Sequence, residues 1–399
     1  MNTAYIVDIL RTPVGKFGGS LSAVRPDDMA ALVMKEIVAR NPNLDPSLIE
    51  DVVMGAANQA GEDNRNVARM ALLLAGLPQE IGGVTVNRLC ASGLQAIIDA
   101  SRAVACGDGG VYLAGGVESM TRAPFVMAKA ETAFARTAEI YDTTIGWRFT
   151  NEKLSKLHYP FAMGETAENV AERYGISRET QDEFAHHSQV KYKQAAEAGK
   201  FKDEIVPVHI PQRKGDDIVF DTDEHPRLSS VEKLSTLNPA FKKGGTVTAG
   251  NASGINDGAA ISIIVSEEVL KRYNLTPMAR VVSAAVAGVD PAHMGIGPVP
   301  ATQKALKRAG LSINDIGLAE INEAFAAQAI PCMQQLEINP EIVNVNGGSI
   351  AIGHPLGASG TRISATLLHE MKRRDNVKYG LATMCVGVGQ GAAVIYEKV

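Results

Sequence analysis

Two cysteines, one histidine and one asparagine have surroundings suited to chemistry as well as to packing. Cys90 follows the apolar residues of 84–89 and precedes a turn of small residues and a helical pattern, so it is expected where a strand meets a helix. Helix N-termini carry unpaired N–H groups and the positive end of the dipole, which favour a thiolate. Cys90 is therefore a candidate nucleophile if a base lies nearby, and a small buried hydrophobe otherwise.

The other candidates lie in the C-terminal third. His354, within the glycine-rich residues 346–360, is a candidate base or a structural histidine. Cys385 ends a predicted strand, where glycines allow a substrate to approach the backbone. The GVGQG that follows resembles a dinucleotide fingerprint, but a strand pattern comes next instead of a helix, which excludes that interpretation. Asn322 follows a strand and is either a helix cap or a hydrogen-bond donor to an oxyanion.

The elements around these residues alternate between strand and helix. Residues 1–120 predict an α/β layer with a largely parallel sheet. One order (strand, small-residue turn, helix, strand, glycines) occurs in residues 84–116 and again in 342–389, which indicates two related α/β halves. We expect three parts: an N-terminal half of residues 1–120 and 249–275, a more polar loop domain of residues 121–248, and a C-terminal half of residues 276–399.

Composition narrows the class of protein. The 399 residues are 45% hydrophobic and 21% charged with a formal net charge of -5, as in an ordinary globular protein without a nucleic-acid surface. No apolar run spans a bilayer and the N-terminus is not a signal peptide, so we expect a cytoplasmic or mature organellar protein. The four cysteines include no CxxC pair, which argues against a zinc site, and Cys106 and Cys332 are assigned to packing.

Five short motifs are spread along the chain. They are NRLCASG at 87–93, GNASG at 250–254, NEAFA at 322–326, NGG with GHPLG across 346–357, and CVG at 385–387. This set, in this order, resembles that of the thiolase family, and the resemblance runs from the Arg-Thr-Pro at residues 11–13 to the end of the chain. Several motifs in matching order are far more specific than any one alone. The resemblance implies a thiolase fold, in which two related α/β halves form a five-layered αβαβα arrangement with an inserted loop domain.

The resemblance also implies acyl transfer to and from coenzyme A, with each candidate in a defined role. Cys90 matches the nucleophile that takes the acyl group as a thioester, and His354 matches its base. Cys385 matches the acid/base that exchanges a proton with the α-carbon of acetyl-CoA. Asn322 matches the residue whose bound water forms one oxyanion hole with His354, and the N–H groups of Cys90 and Gly387 match the other.

Coenzyme A and acyl-CoA are the expected ligands, as substrates, with no metal and no permanently bound cofactor. Family resemblance further suggests a homodimer or homotetramer, with no nucleic-acid or membrane partner. Five residues match CoA-contacting positions: Ser253 and Phe325 in the pantetheine channel, Met163 and Phe241 in the loop domain, and Arg227 near a phosphate or the adenine.

The primary prediction is a degradative 3-ketoacyl-CoA thiolase, with fatty acid β-oxidation as its pathway. Residues 61–66 and 142–149 resemble degradative members, including β-ketoadipyl-CoA thiolases, which are the nearest alternative. Biosynthetic acetoacetyl-CoA thiolases commonly have histidine where this chain has Ala162, and the smaller residue is compatible with a longer acyl chain. Ketoacyl synthases pair their nucleophile with two histidines, whereas the second partner here is Cys385. A non-catalytic acyl-CoA-binding protein is the remaining alternative.

Overall fold

The computed structural model describes residues 2–399, in which fourteen strands and twelve α-helices are found. The strands are β1 Ala4–Arg11, β2 Gly15–Lys16, β3 Asp51–Gly55, β4 Gly82–Val86, β5 Val111–Ser119, β6 Phe125–Met127, β7 Ile140–Asp142, β8 Val208–Ile210, β9 Ile218–Phe220, β10 Asn256–Ser266, β11 Ala279–Gly288, β12 Ile316–Ile321, β13 Tyr379–Val386 and β14 Gln390–Lys398. The helices are α1 Pro26–Arg40, α2 Val67–Leu74, α3 Ser92–Cys106, α4 Glu152–Leu157, α5 Met163–Tyr174, α6 Arg178–Glu197, α7 Val231–Ser235, α8 Glu267–Arg272, α9 Pro298–Ala309, α10 Ala326–Leu336, α11 Ser349–Ile352 and α12 Leu356–Arg373.

Ten strands form one mixed sheet in the order β12-β13-β14-β11-β1-β10-β5-β3-β4, with β2 paired to β10. Only the pairs β3–β4, β3–β5 and β12–β13 are parallel. The prediction of a largely parallel sheet in residues 1–120 holds for β3, β4 and β5 and fails for β1, whose two neighbours are antiparallel to it. β13 and β14 are joined by a tight turn and must run antiparallel, and the long strand β10 is antiparallel to both β1 and β5. The C-terminal and N-terminal halves of the sheet join in its middle, where β1 pairs with β11 over only two residue pairs.

Helices α3 and α12 form the middle of five layers. One apolar cluster joins residues of both helices to residues of β1 and β5 on one side and of β12, β13 and β14 on the other. A second cluster packs α1 and α2 on the outer face of the N-terminal strands. A third packs α9 and α10 on the outer face of the C-terminal strands. The order of layers is thus helix, sheet, helix, sheet, helix, as the αβαβα prediction requires.

Glycines let the two central helices touch backbone to backbone. A Cβ atom added to Gly93 of α3 would lie 2.7 Å from the carbonyl oxygen of Gly357, and one added to Gly360 of α12 would collide with the backbone of Leu94. A side chain at either position would force the helices apart. This close contact brings the N-terminal ends of α3 and α12 together.

The segment between β5 and β10 is tied to β1 by a buried ion pair. Arg11, at the end of β1, donates from Nε to Glu204 over 2.6 Å and from both terminal nitrogens to Asp223 over 2.6 and 3.0 Å. All three side chains are buried. Burial acts to lower the pKa of Arg11, but the two carboxylates hold it above its ordinary value. The arginine thereby fixes two distant points of this segment to the sheet.

The local predictions around Cys90 agree largely with the structure. α3 begins just after Cys90, and Gly107 ends it with a left-handed φ of 84°. Leu89 lies in a 3-10 turn instead of the expected strand, and Cys106, assigned to packing, is exposed, whereas Cys332 is buried. Across residues 2–399, no helix combines the length and apolar character needed to cross a membrane.

Candidate active site

Cys90 lies in a tight turn that leads directly into α3. The 3-10 turn Leu89–Ala91 is followed at once by Ser92, the first residue of the helix. Leu89 has a φ of 47°, which is uncommon for a residue with a side chain. The Ser92 hydroxyl stabilises the turn, because it accepts from the Arg88 N–H over 2.9 Å and donates to the Leu89 carbonyl over 2.6 Å. The turn places Cys90 at the N-terminal end of α3.

The surroundings of Cys90 favour the thiol over the thiolate. Burial raises the pKa of the Cys90 thiol to about 11, and the negative charge of Glu118 adds to this. Hydrogen bonds from the N–H groups of Gly387 and of Cys90 itself act in the opposite direction without overcoming burial. The N–H groups at the helix start thus act in the predicted direction, but burial outweighs them in the protein at rest. Deprotonation of Cys90 requires a base.

His354 is held as a neutral imidazole with one nitrogen free to accept a proton. Its Nδ1 lies 2.6 Å from the Ser359 hydroxyl, which itself donates to the Pro355 carbonyl over 2.8 Å. Because the Ser359 hydroxyl proton is used in that bond, Nδ1 must carry a proton and donate it to the Ser359 oxygen. Nε2 therefore carries the lone pair. Burial, with the nearby charge of Arg362, lowers the pKa of His354 to about 3. The ring is thus neutral and oriented to act as a base.

Asn322 faces this free nitrogen. Its Nδ2 lies 3.5 Å from Nε2 of His354, and its Oδ1 accepts from the Ser349 hydroxyl over 2.5 Å. Arg362 can only donate, and it donates to the same hydroxyl, so the hydroxyl proton points to Asn322. This chain of donors fixes the amide orientation and leaves the NH₂ group next to the imidazole. Both groups are buried and suit a polarised oxygen placed between them.

Cys385 is the second thiol of the site. It lies near the end of β13 and is fully buried. Burial raises the pKa of Cys385 well above its ordinary value, and charge on Cys90 raises it further, which shows that the two sulfurs are electrostatic neighbours. Cys385 is thus a thiol able to donate a proton. The turn after it contains Gly387 and positive φ angles at Val388 and Gly389, of 61° and 76°.

A cavity of about 220 Å³ opens on Cys90. Gly387 and Leu356, two residues after His354, line it together with Met163 at the start of α5. Residues 143–148 complete its wall. Most of the lining is apolar, including Leu89, Met120, Ile145, Trp147, Phe161, Ala162 and Met163.

Glu118 lines the same cavity and was missed by sequence reasoning. Its buried carboxylate accepts from the N–H groups of Ala57, Asn58 and Gly357 over 2.9, 3.1 and 2.7 Å. Burial, partly offset by these bonds, raises the pKa of Glu118 to about 7. The carboxylate therefore joins the first turn of α12 to the loop after β3. A lone charge within the otherwise apolar strand β5 was the available signal.

Three of the predicted CoA contacts lie side by side. Ser253 pairs with the strand-like backbone before α10, its N–H and hydroxyl both donating to the Ala324 carbonyl over 2.9 and 3.0 Å. The ring of Phe241 stands edge-on to that of Phe325, with centroids 6.1 Å apart. Phe325 shares an apolar cluster with Cys385 and Met163. These residues thus form a continuous wall beside the second thiol.

Arg227, the fifth predicted contact, does not line the Cys90 cavity. It lines a separate cavity of about 230 Å³ together with Lys233, Ser229 and Leu234. Leu234 belongs to the same apolar cluster as Phe325, so the two cavities flank one wall. Arg227 donates to Nε2 of His225 over 2.7 Å and to the carbonyl of Ala249. Two cationic side chains at this second cavity suit an anionic ligand such as a phosphate.

Comparison with known proteins defines the class to which this site belongs. Residues 4–268 match the family model described as "Thiolase, N-terminal domain", and residues 275–398 match "Thiolase, C-terminal domain". The chain belongs to the thiolase family, and it is an acyltransferase with thiolase function.

Particular relatives resemble the chain over its whole length. The 3-oxoadipyl-CoA/3-oxo-5,6-dehydrosuberyl-CoA thiolase of Escherichia coli K12 is 54% identical and covers 100% of each chain. The β-ketoadipyl-CoA thiolase of Pseudomonas aeruginosa is 55% identical over 99% of each chain. The crystal structure of the Bacillus anthracis acetyl-CoA acetyltransferase has a TM-score of 0.94 at 42% identity, covering 100% of this chain and 99% of that one. The predicted family, fold class and enzyme class are confirmed.

Proposed function

We propose that this thiolase cleaves 3-oxoadipyl-CoA with coenzyme A to acetyl-CoA and succinyl-CoA. What supports the chemistry is two pairs, Cys90 with Cys385 as electrostatic neighbours and His354 with Asn322 at 3.5 Å, which lie by helices α3 and α12 in direct backbone contact. The names of the relatives at 54–55% identity support the substrate. The β-ketoadipyl-CoA alternative is thus favoured over the general 3-ketoacyl-CoA prediction. A role in fatty acid β-oxidation is not confirmed.

In the first half-reaction, Nε2 of His354 takes the proton of Cys90 while the sulfur adds to the C3 carbonyl of the substrate. The resulting oxyanion, on the carbon bound to the Cys90 sulfur, is stabilised by the N–H groups of Cys90 and Gly387, which already bond to that sulfur. The C2–C3 bond then breaks. The electron pair leaves on C2 as the enolate of acetyl-CoA, whose thioester oxygen is stabilised by the imidazolium N–H of His354 and a water held by Asn322. Cys385 protonates C2, and acetyl-CoA departs from a succinyl thioester on Cys90.

In the second half-reaction, the Cys385 thiolate takes the proton of the incoming CoA thiol. The CoA sulfur adds to the thioester carbonyl, and the bond from this carbon to the sulfur of Cys90 breaks. The imidazolium of His354 returns its proton to the Cys90 sulfur as succinyl-CoA leaves. Every group is restored to its starting protonation state. The scheme is ping-pong, with the acyl group held on Cys90 between the two half-reactions.

The pKa directions define the order of events in the first step. Burial raises the pKa of Cys90 to about 11 and lowers the pKa of His354 to about 3, so a thiolate–imidazolium pair is strongly disfavoured before substrate binds. Proton transfer must therefore accompany addition of sulfur to the carbonyl, because the developing oxyanion compensates the imidazolium charge.

For coenzyme A, the proposed contacts follow the wall beside Cys385. Met163, Phe325 and Phe241 present apolar surface to the pantetheine chain, and Ser253 presents a polar edge. Arg227 is proposed to bind a CoA phosphate at the outer cavity, where its guanidinium has no carboxylate partner among the described residues.

A second candidate is acetyl-CoA acetyltransferase activity, the name carried by the Bacillus anthracis structure. Ala162 argues against this activity. It lines the Cys90 cavity at the position where acetoacetyl-CoA thiolases commonly carry histidine. The missing ring leaves room for an acyl group longer than acetyl.

A panel of acetoacetyl-, 3-oxohexanoyl-, 3-oxooctanoyl- and 3-oxoadipyl-CoA separates these activities. With coenzyme A present, we expect kcat/KM to be highest for 3-oxoadipyl-CoA, with acetyl-CoA and succinyl-CoA as products by mass spectrometry. A maximum at acetoacetyl-CoA would instead assign the second candidate. A maximum at a neutral longer chain would assign the general degradative activity.

Three further properties remain predictions that belong to this proposal. They are the division into residues 1–120 with 249–275, 121–248 and 276–399, a cytoplasmic location, and assembly as a homodimer or homotetramer. The hairpin β6–β7 and its connection expose Phe125, Met127, Phe134 and Ile140 to solvent, which supports contact between copies at this hairpin. Light scattering on the purified chain measures the number of subunits.

A further inference from the structure

We propose that Arg148 binds the terminal carboxylate of the acyl chain and so selects dicarboxylic substrates. The inference deepens the proposed function and depends on it. Succinyl and 3-oxoadipyl groups end in a carboxylate, and a cavity with a mostly apolar lining needs a cation to accept that charge. Arg148 lines the Cys90 cavity, and Glu118 is the other charged residue of its lining.

The two charged residues differ in their partners. Glu118 is already satisfied by three backbone N–H groups. Arg25 and Arg122, near the same end of the sheet, are both paired with Glu62 over 3.1 and 2.6 Å. Arg148 has no carboxylate partner among residues 2–399, and its side chain is only partly exposed. It is therefore the available partner for an incoming carboxylate, which a guanidinium binds through two parallel hydrogen bonds.

The loop that carries Arg148 is anchored on both sides of it. The indole N–H of Trp147 donates to the Phe161 carbonyl over 3.0 Å. The ring of Phe149 stands edge-on to that of Tyr141, with centroids 4.9 Å apart. Both anchors adjoin the residue in sequence, so the backbone of Arg148 is held at the cavity wall before substrate binds. A preorganised cation loses less freedom on binding than a mobile one.

The lining also matches the remainder of the acyl chain. Ile145, Trp147, Phe161 and Met163 present apolar surface to methylene groups. The cavity of about 220 Å³ thus has the nucleophilic sulfur of Cys90 and the positive charge of Arg148 in its lining. Most of the remaining wall is apolar. This distribution fits an acyl group with a short methylene chain and a charged end.

The test compares Arg148→Gln and Arg148→Lys with the wild type on 3-oxoadipyl-CoA and on 3-oxohexanoyl-CoA, a neutral substrate of equal chain length. We expect Arg148→Gln to lower kcat/KM for 3-oxoadipyl-CoA about 10- to 100-fold, mainly through KM, and to leave the neutral substrate unchanged or improved. Arg148→Lys should give a smaller loss, because a point charge replaces the planar fork. The matched control is Arg136→Gln, which changes an exposed arginine outside the cavity.

Two failures are distinguishable. A wild type without preference for 3-oxoadipyl-CoA overturns the substrate of the proposed function, whatever the variants do. A wild type with that preference, together with equal effects of Arg148→Gln on both substrates or no effect on either, overturns the role of Arg148 and leaves the proposed function standing. Equal thermal unfolding midpoints show that the variants fold, and Arg148→Lys serves if the glutamine variant does not.

Discussion

Nδ1 of His354 lies 2.6 Å from the hydroxyl of Ser359, one turn into α12. Because this hydroxyl gives its own proton to the Pro355 carbonyl, the contact selects a single tautomer of the imidazole. Helix α12 therefore supplies both the position of the base and the nitrogen with which it acts.

Ser359→Ala should lower kcat about 10- to 100-fold with little change in KM for coenzyme A, because the ring loses the acceptor that orients it. Steady-state kinetics measure both constants. Ser364→Ala is the matched control, since it removes another buried hydroxyl of α12, which bonds to Gly360 and Tyr396. Equal losses in both variants would contradict a specific role for Ser359.

The two thiols should separate into nucleophile and proton donor. Cys90→Ala should lower turnover by at least about 10⁴-fold and form no acyl-enzyme. Cys385→Ala should still acquire an acyl group on Cys90 from a simple acyl-CoA, but should not cleave the carbon–carbon bond. Intact-protein mass spectrometry detects the acyl group, and Cys106→Ala, which removes an exposed thiol, is the control. An acylated Cys90→Ala protein would exclude Cys90 as the nucleophile.

The reactivity of Cys90 should rise steeply with pH in the substrate-free protein. Burial raises the pKa of this thiol to about 11, so between pH 7 and 9 the thiolate fraction grows about tenfold per pH unit. Alkylation by iodoacetamide, followed peptide by peptide, measures this dependence. A rate that levels off near neutral pH would show instead a resting thiolate paired with imidazolium.

Ser349→Ala should reduce catalysis through Asn322. The variant removes the donor to Asn322 Oδ1 and leaves the buried Arg362 without that acceptor. We expect kcat to fall about tenfold and the free energy of unfolding to fall by about 1–3 kcal/mol. Ser349→Thr, which keeps the hydroxyl, should restore part of both. Kinetics and denaturant unfolding on the same samples separate the two effects.

Asp223→Asn should destabilise the protein, since it leaves the buried charge of Arg11 with one carboxylate. The expected loss is about 3–5 kcal/mol in the free energy of unfolding, measured by denaturant titration. Lys193→Met breaks an exposed pair with Glu197 and should change stability by less than about 1 kcal/mol. Similar effects of both substitutions would be inconsistent with a structural ion pair at Arg11.

Local patterns were sufficient for the elements that carry the chemistry. The start of α3, its end at Gly107 and the placement of Cys90 just before it follow from apolar spacing and capping, which depend on neighbours in sequence. The five layers and the enzyme class followed from motif order. The direction of β10 could not be predicted, because it depends on where the chain returns after the long segment from β5.

The residues that sequence reasoning missed act across long separations. Glu118 accepts a hydrogen bond from Gly357, which lies 239 residues further along the chain. No pattern in the sequence around Glu118 predicts that contact. Its negative charge also adds to the high pKa of Cys90, which is set mainly by burial and could not be predicted from the helix terminus alone. Arg148 is similarly part of the site only because its loop folds against the cavity.

The direct backbone contact of α3 and α12 at Gly93 and Gly360 makes the two helices one packing unit. Because no side chain separates them, neither can tilt against the other without a backbone collision, so Cys90 and His354, which precede these helices, keep a fixed relation. Residues 143–148 and 161–163, which also line the Cys90 cavity, belong to the segment between β5 and β10. The acyl preference is therefore open to change by substitutions in that segment, without repacking of the helices next to the nucleophile and the base.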